Sequence, residues 1–130
     1  MTNSPVRILI VDDEPPVVKM MSTYLRRLGY QVSTSDSTDA AWKEVEAAPA
    51  SVDVAVLDAS MRGMTMMNLA QKLLQVNPGI AVIAASGYPV DVSGLEAAAP
   101  GRVASLLKPF SPETLAGMIR RMIGTQEEKL

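Results

Sequence analysis

Apolar residues gather in five short runs, at residues 7–11, 30–35, 54–57, 80–85 and 103–107. The first (after Arg7), third and fourth are continuous and rich in valine, isoleucine, leucine or alanine. The second, Tyr30 to Ser35, alternates weakly. Runs of that length read as strands, the continuous ones as strands buried on both faces. Between them the apolar period lengthens. Val18, Met21, Leu25 and Leu28 follow Pro15 and Pro16 at helical spacing, and Gly29 suits the position just past a helix end. Ser37 or Thr38 caps a second helix through Ala48, with Ala41, Val45 and Ala48 on its buried side. Residues 66–76 form a third, with Leu69, Leu73 and Val76 in phase, and Asn77-Pro78-Gly79 turns the chain after it. Residues 91–99 read as a fourth helix, weakened by Gly94 and ended by Pro100-Gly101. Ser111 caps the last helix, with Pro112 at its first position. Its apolar stripe is Leu115, Met118, Ile119, Met122 and Ile123. Residues 125–130 read as a frayed tail.

Strand and helix alternate with short connections and no internal break. That order predicts an α/β fold, an open five-stranded parallel sheet with helices on both faces. A length of 130 residues suits one domain. Only 4% of residues are aromatic, so the core must be aliphatic. A net charge of -2 gives no basic footprint, and no direct nucleic-acid partner is expected. The chain has no cysteine and no histidine, which excludes disulfides, thiol chemistry, the usual zinc sites and a histidine triad. A bound metal must take oxygen ligands, which points to magnesium, calcium or manganese. No apolar run approaches the roughly 20 residues of a membrane span. The first residues lack a signal-peptide pattern. The expected location is cytoplasmic, with no membrane partner.

The chemistry sits at strand ends. Asp12 and Asp13 follow the first run, Asp58 the third, Ser86 the fourth and Lys108 the fifth. Open α/β sheets bind ligands at that edge, where the strand order reverses. In the order 2-1-3-4-5, strands one and three are neighbours and their carboxylates converge. Three neighbouring carboxylates repel one another, so such a site favours a cation or a raised proton affinity.

The segments ILIVDDE, VAVLD, Ser86-Gly87 and LLKPF, in this order, resemble the receiver domain of bacterial two-component response regulators. The resemblance spans residues 6–124. The SGYP form at 86–89 is similar to receivers attached to hybrid sensor kinases. The resemblance implies a flavodoxin-like sheet of order 2-1-3-4-5. It implies that Asp58 accepts a phosphoryl group from a histidine kinase or a histidine phosphotransfer protein. Mg²⁺, with Mn²⁺ as the alternative, would be held by Asp12, Asp13, Asp58 and the backbone carbonyl of Ser60. Lys108 would face the phosphoryl group as a point charge, and Ser86 would offer it a hydroxyl. The Lys108–Pro109 bond is implied to be cis. Such a domain is not an enzyme in its own right, beyond catalysing its own dephosphorylation. It would act on a downstream protein target, and form a weak homodimer, through the face of the fourth helix, fifth strand and fifth helix.

Three features depart from the family pattern. The aromatic expected three residues before the lysine is Ser105. The proline after Met61 is Arg62, which brings a cation toward the site. The Asp-Gly pair before the third helix is Thr65-Met66. The methionines at 61, 64, 66 and 67 read mainly as core plugs under the third helix, and Trp42 as packed on a helix face. The fourth helix is marginal by propensity and a candidate mobile element. These departures leave a second reading, a phosphorylation-independent interaction module. A magnesium-dependent phosphatase is a third, disfavoured by the lack of a second acid–base residue. The chain reads either as a stand-alone receiver or as a piece of a longer protein, with Met1 and the charged tail pointing to the former.

Overall fold

Strand β3, Val54–Asp58, is buried along its whole length and lies at the middle of a parallel sheet ordered β2-β1-β3-β4-β5. The computed structural model describes residues 5–61 and 63–127. The other strands are β1 (Arg7–Val11), β2 (Gln31–Ser35), β4 (Ala81–Ser86) and β5 (Val103–Leu107). The helices are α1 (Pro15–Arg27), α2 (Thr38–Ala47), α3 (Met66–Val76), α4 (Ser93–Ala98) and α5 (Pro112–Glu127), with a short 3₁₀ turn at Pro49–Ser51. This is the flavodoxin-like order expected, with the reversal between β1 and β3.

Alternation along each strand divides the core into two layers. Leu9, Val11, Ala55, Leu57, Val82 and Ala84 pack with Leu69 and Leu73 of α3 and with Ala41 and Val45 of α2. Ile8, Ile10, Val54, Val56 and Ile83 pack with Met21 and Leu25 of α1 and with Leu115 and Ile119 of α5. Fully burying each such aliphatic side chain stabilises the fold by roughly 1.5–3 kcal/mol, so the two layers supply the main driving force. Met61 and Met66 are buried in the α2–α3 layer, and Met64 and Met67 are packed against it. Trp42 is half-buried on the same layer, with the Lys72 ammonium 5.1 Å from its ring centre.

Helix starts follow local chemistry. The Ser37 side chain, rather than that of Thr38, caps α2 by accepting from Ala40 N–H. Thr65 caps α3 through Asn68 N–H at 3.1 Å, so the residue replacing the family aspartate keeps a helix-starting oxygen. Ser111 accepts from Thr114 N–H at the start of α5. Gly63 has φ 86°, and a Cβ there would meet Asp39 Oδ2 at 2.7 Å, so this loop position requires glycine.

Three periodic positions face solvent instead of the core. Leu28 and Ala48 are the residues at which α1 and α2 stop, and Val76 is the last of α3. A stripe that runs to the helix end leaves the sheet it packs on. Helix α4 is shorter than expected, six residues with only Leu95 buried and no side-chain cap. Helix α5 runs on to Glu127, past the domain end read at 124. Among the described residues, no helix is long and apolar enough to cross a membrane.

Candidate functional site

Parallel strands all end at one edge, so β1, β3, β4 and β5 deliver their last polar residues to a common place. Asp58 closes β3 and Ser86 closes β4, both within the strand itself. Asp12 follows β1 directly, and its N–H still donates to Ser35 O of β2 at 3.1 Å. Lys108 follows β5, and its N–H donates to Ser86 O at 2.6 Å. The Lys108–Pro109 peptide is cis.

The Lys108 ammonium is the hub. Its Nζ lies 3.1 Å from Asp12 Oδ2, 3.3 Å from Glu14 Oε1 and 3.4 Å from Asp58 Oδ1. The Asp12 and Asp58 side chains are each 3% exposed, whereas that of Glu14 is 57% exposed. Two buried anions share one cation, and the third reaches in from solvent. Burial raises the Asp12 pKa, although the Glu14 N–H and the Lys108 ammonium both hold it down. The Asp58 charge adds to the rise. For Lys108, burial alone would lower the pKa. Hydrogen bonding and charge from Asp12, with the Asp58 and Glu14 carboxylates, outweigh it and leave the pKa raised. Lys108 is therefore a fixed positive charge at neutral pH.

Asp58 is further ordered by Ser60. The Ser60 hydroxyl donates to Asp58 Oδ2 at 3.0 Å, and its N–H lies 3.3 Å from Oδ1. Ser86 Oγ accepts from Tyr88 N–H at 3.1 Å, which turns the β4–α4 loop over the site. Tyr88 itself is exposed. Ser105 and Leu107 are exposed on β5, and with Ser86 and Tyr88 they line a hollow of about 230 Å³. The Arg62 cation lies outside the described residues.

The structure brings Asp12, Asp58 and Lys108 together, with Ser86 joined to Lys108 through its backbone carbonyl. It also brings in Glu14, which sequence reading had not assigned to the site. Oxygens of Asp12, Glu14 and Asp58 all lie within 4.8 Å of one another. Asp13 is exposed and stands outside that cluster. Asp12 and Glu14 lie past the end of β1, in the turn into α1, and that turn sets Glu14 beside Asp12. The Glu14 N–H bond to Asp12 Oδ1, at 3.0 Å, fixes that turn. Three hard oxygen donors suit a small divalent cation of the magnesium type.

Comparison with known proteins agrees with this geometry. The family described as response regulator receiver domain matches residues 8–120. The chain is 32% identical over 123 residues to the probable transcriptional regulatory protein TcrX of Mycobacterium tuberculosis, covering 92% of this chain and 50% of that protein. The chain thus spans about half the length, or less, of this and other curated relatives. A CheY-like receiver domain protein from Methanospirillum hungatei superposes with a TM-score of 0.84 at 25% identity, covering 98% of this chain and all of that one. The receiver domain of the hybrid histidine kinase CckA superposes with a TM-score of 0.75 at 27% identity, over 89% of this chain and 97% of that one. With residues 8–120 matched, the chain belongs to the response regulator receiver domain family and is a regulatory domain of two-component signalling.

Proposed function

We propose that Asp58 is the phosphoacceptor. A histidine kinase or histidine phosphotransfer protein docks over the strand edge, and a carboxylate oxygen of Asp58 attacks the phosphohistidine phosphorus. The N–P bond breaks, the imidazole keeps the electron pair, and an acyl phosphate forms on Asp58. The observation that carries this reading is a buried carboxylate at the end of the central strand, 3.4 Å from a fixed ammonium. The ammonium offsets charge on the incoming phosphoryl oxygens.

Mg²⁺, or Mn²⁺ in its place, would when bound lower the electrostatic cost of bringing two anions together. Asp12, Asp13, Asp58 and the Ser60 carbonyl are its proposed ligands. Asp12 and Asp58 already cluster, whereas Asp13 is exposed and Glu14 stands with the other two. Ser86 Oγ accepts from Tyr88 N–H and keeps its own proton to donate to a phosphoryl oxygen. That contact pulls on the β4–α4 loop and shifts α4, in which Leu95 is the one buried residue. The α4–β5–α5 face, which exposes Leu107, would meet the downstream target or a second copy of the chain. We place this exchange in the cytoplasm, and the acyl phosphate is hydrolysed at the same site.

The test is intact mass after incubation with Mg²⁺ and acetyl phosphate, or with a cognate kinase. One added phosphoryl group is expected, absent with chelator and absent in Asp58→Asn. No gain from either donor in folded protein would contradict the proposal.

One observation favours a second reading. Ser105 is exposed where the family has a rotating aromatic, so the usual relay to the partner surface lacks its moving part. A constitutive interaction module would bind its target with equal affinity with and without beryllofluoride. A large change in affinity rules that reading out.

A further inference from the structure

One cavity lies away from Asp58. It has a volume of about 730 Å³ and sits between α3 and α4, among Gln71, Leu74, Gln75, Leu95, Ala98 and Arg102. Pro78 and Arg102, which also line it, precede β4 and β5. It therefore opens at the N-terminal edge of the sheet, and Asp58 lies at the C-terminal edge. Its volume is within the range of small-molecule sites.

Arg102 gives the cavity its chemistry. Among the described residues, its Nη1 is the one buried side-chain nitrogen or oxygen with no hydrogen-bond partner. Because Nη1 is shut off from solvent, an acceptor in the cavity meets the guanidinium at its other nitrogens. The backbone on either side is fixed, with Arg102 N–H on Ala99 O at 3.1 Å and Arg102 O accepting from Val82 N–H at 2.7 Å. Gly79 sits beside the guanidinium, where a Cβ would make an ordinary contact with Nη1 at 3.7 Å. The acid next along α4 does not supply the missing acceptor. Glu96 Oε1 takes the Gly101 N–H at 3.0 Å. Around this single cation the walls are aliphatic: Leu95 is buried, Leu74 half-buried, and Ala98 is small. The amides of Gln71 and Gln75 are exposed at the rim.

We propose that this cavity binds a small monocarboxylate with an aliphatic body. The carboxylate takes the Arg102 guanidinium, and the aliphatic part lies on Leu74, Leu95 and Ala98. One guanidinium among apolar walls matches one negative charge on an apolar frame, and a phosphate-rich ligand would lack partners here. The proposal stands independently of Asp58.

The experiment is an amide NMR titration of the full chain with hexanoate, with hexanol as the uncharged control. Hexanoate is expected to give saturable shifts at Leu74, Leu95 and Ala98. Hexanol on the wild type, and hexanoate on Arg102→Gln, should each bind about tenfold more weakly, as expected for loss of a charge-assisted pair. Arg102→Lys should recover part of the loss. The absence of saturable shifts, or equal binding of hexanol, would overturn the proposal, and the alcohol comparison decides even where Arg102→Gln does not fold. Saturation by an acidic helical peptide with none by hexanoate would also overturn it, and would assign the groove to a protein partner.

Discussion

Lys108 Nζ and Asp12 Oδ2 meet at 3.1 Å although 96 residues separate them in the chain. The contact ties the end of β5 to the end of β1 across β3 and β4, and it holds a cation against both buried carboxylates. Lys108→Met should leave Asp12 and Asp58 uncompensated and lower stability by about 3 kcal/mol without divalent cations, the lower end for an unpaired buried charge. Mg²⁺ should bind the variant more tightly, because no ammonium competes. Urea unfolding with and without Mg²⁺ measures both effects. A variant as stable as wild type in chelator would show that the carboxylates do not depend on Lys108.

Asp13, the proposed ligand, is exposed, whereas Glu14 stands with Asp12 and Asp58. Asp13→Asn should weaken Mg²⁺ binding at least tenfold if its carboxylate turns in on loading, with Glu14→Gln changing it little. The reverse ranking would make the clustered Glu14 the ligand. Isothermal titration on the two variants separates the cases.

Asp12 makes stability depend on pH with a definite sign. Its folded-state pKa is raised above 3.8, chiefly by burial. Between that value and the raised one, the folded protein keeps a proton that the unfolded chain has released. Stability therefore falls as pH rises through the window. In chelator, the urea midpoint of wild type should drop relative to Asp12→Asn from about pH 4 upward. A midpoint that rises relative to the variant over the same range would contradict the burial argument.

Ser105 leaves the hollow beside Ser86 and Tyr88 without the aromatic that the family uses. Ser105→Tyr should restore that ring. On adding beryllofluoride, amide shifts in α4 should then be larger than in wild type. Equal shifts in the two proteins would mean that this chain reports through another path.

Most of the fold was legible because burial on both faces of β3 and β4 demands continuous apolar runs, and strand ends demand polar residues. The four long-range partners at the edge, Asp12, Asp58, Ser86 and Lys108, follow from that rule and from the family resemblance. Glu14 was not legible from residue type, since an exposed glutamate after two aspartates reads as a solvated loop. Its role depends on the turn fixed by its own N–H on Asp12. The Ser60 hydroxyl on Asp58 was hidden for the same reason: only its carbonyl was implied, and the side-chain contact depends on the local chain path. The open face at Leu28 and Val76 could not be read either, because periodicity does not say where a helix leaves the sheet.

The most direct measurement is the position of the phosphoryl group. Protein treated with acetyl phosphate and Mg²⁺ is reduced with borohydride, which converts an aspartyl phosphate to homoserine, and peptide mass spectrometry then locates the changed residue. The prediction is homoserine at position 58 alone. Homoserine at position 12 or 13 with Asp58 intact, or at no position in folded protein, would contradict the account.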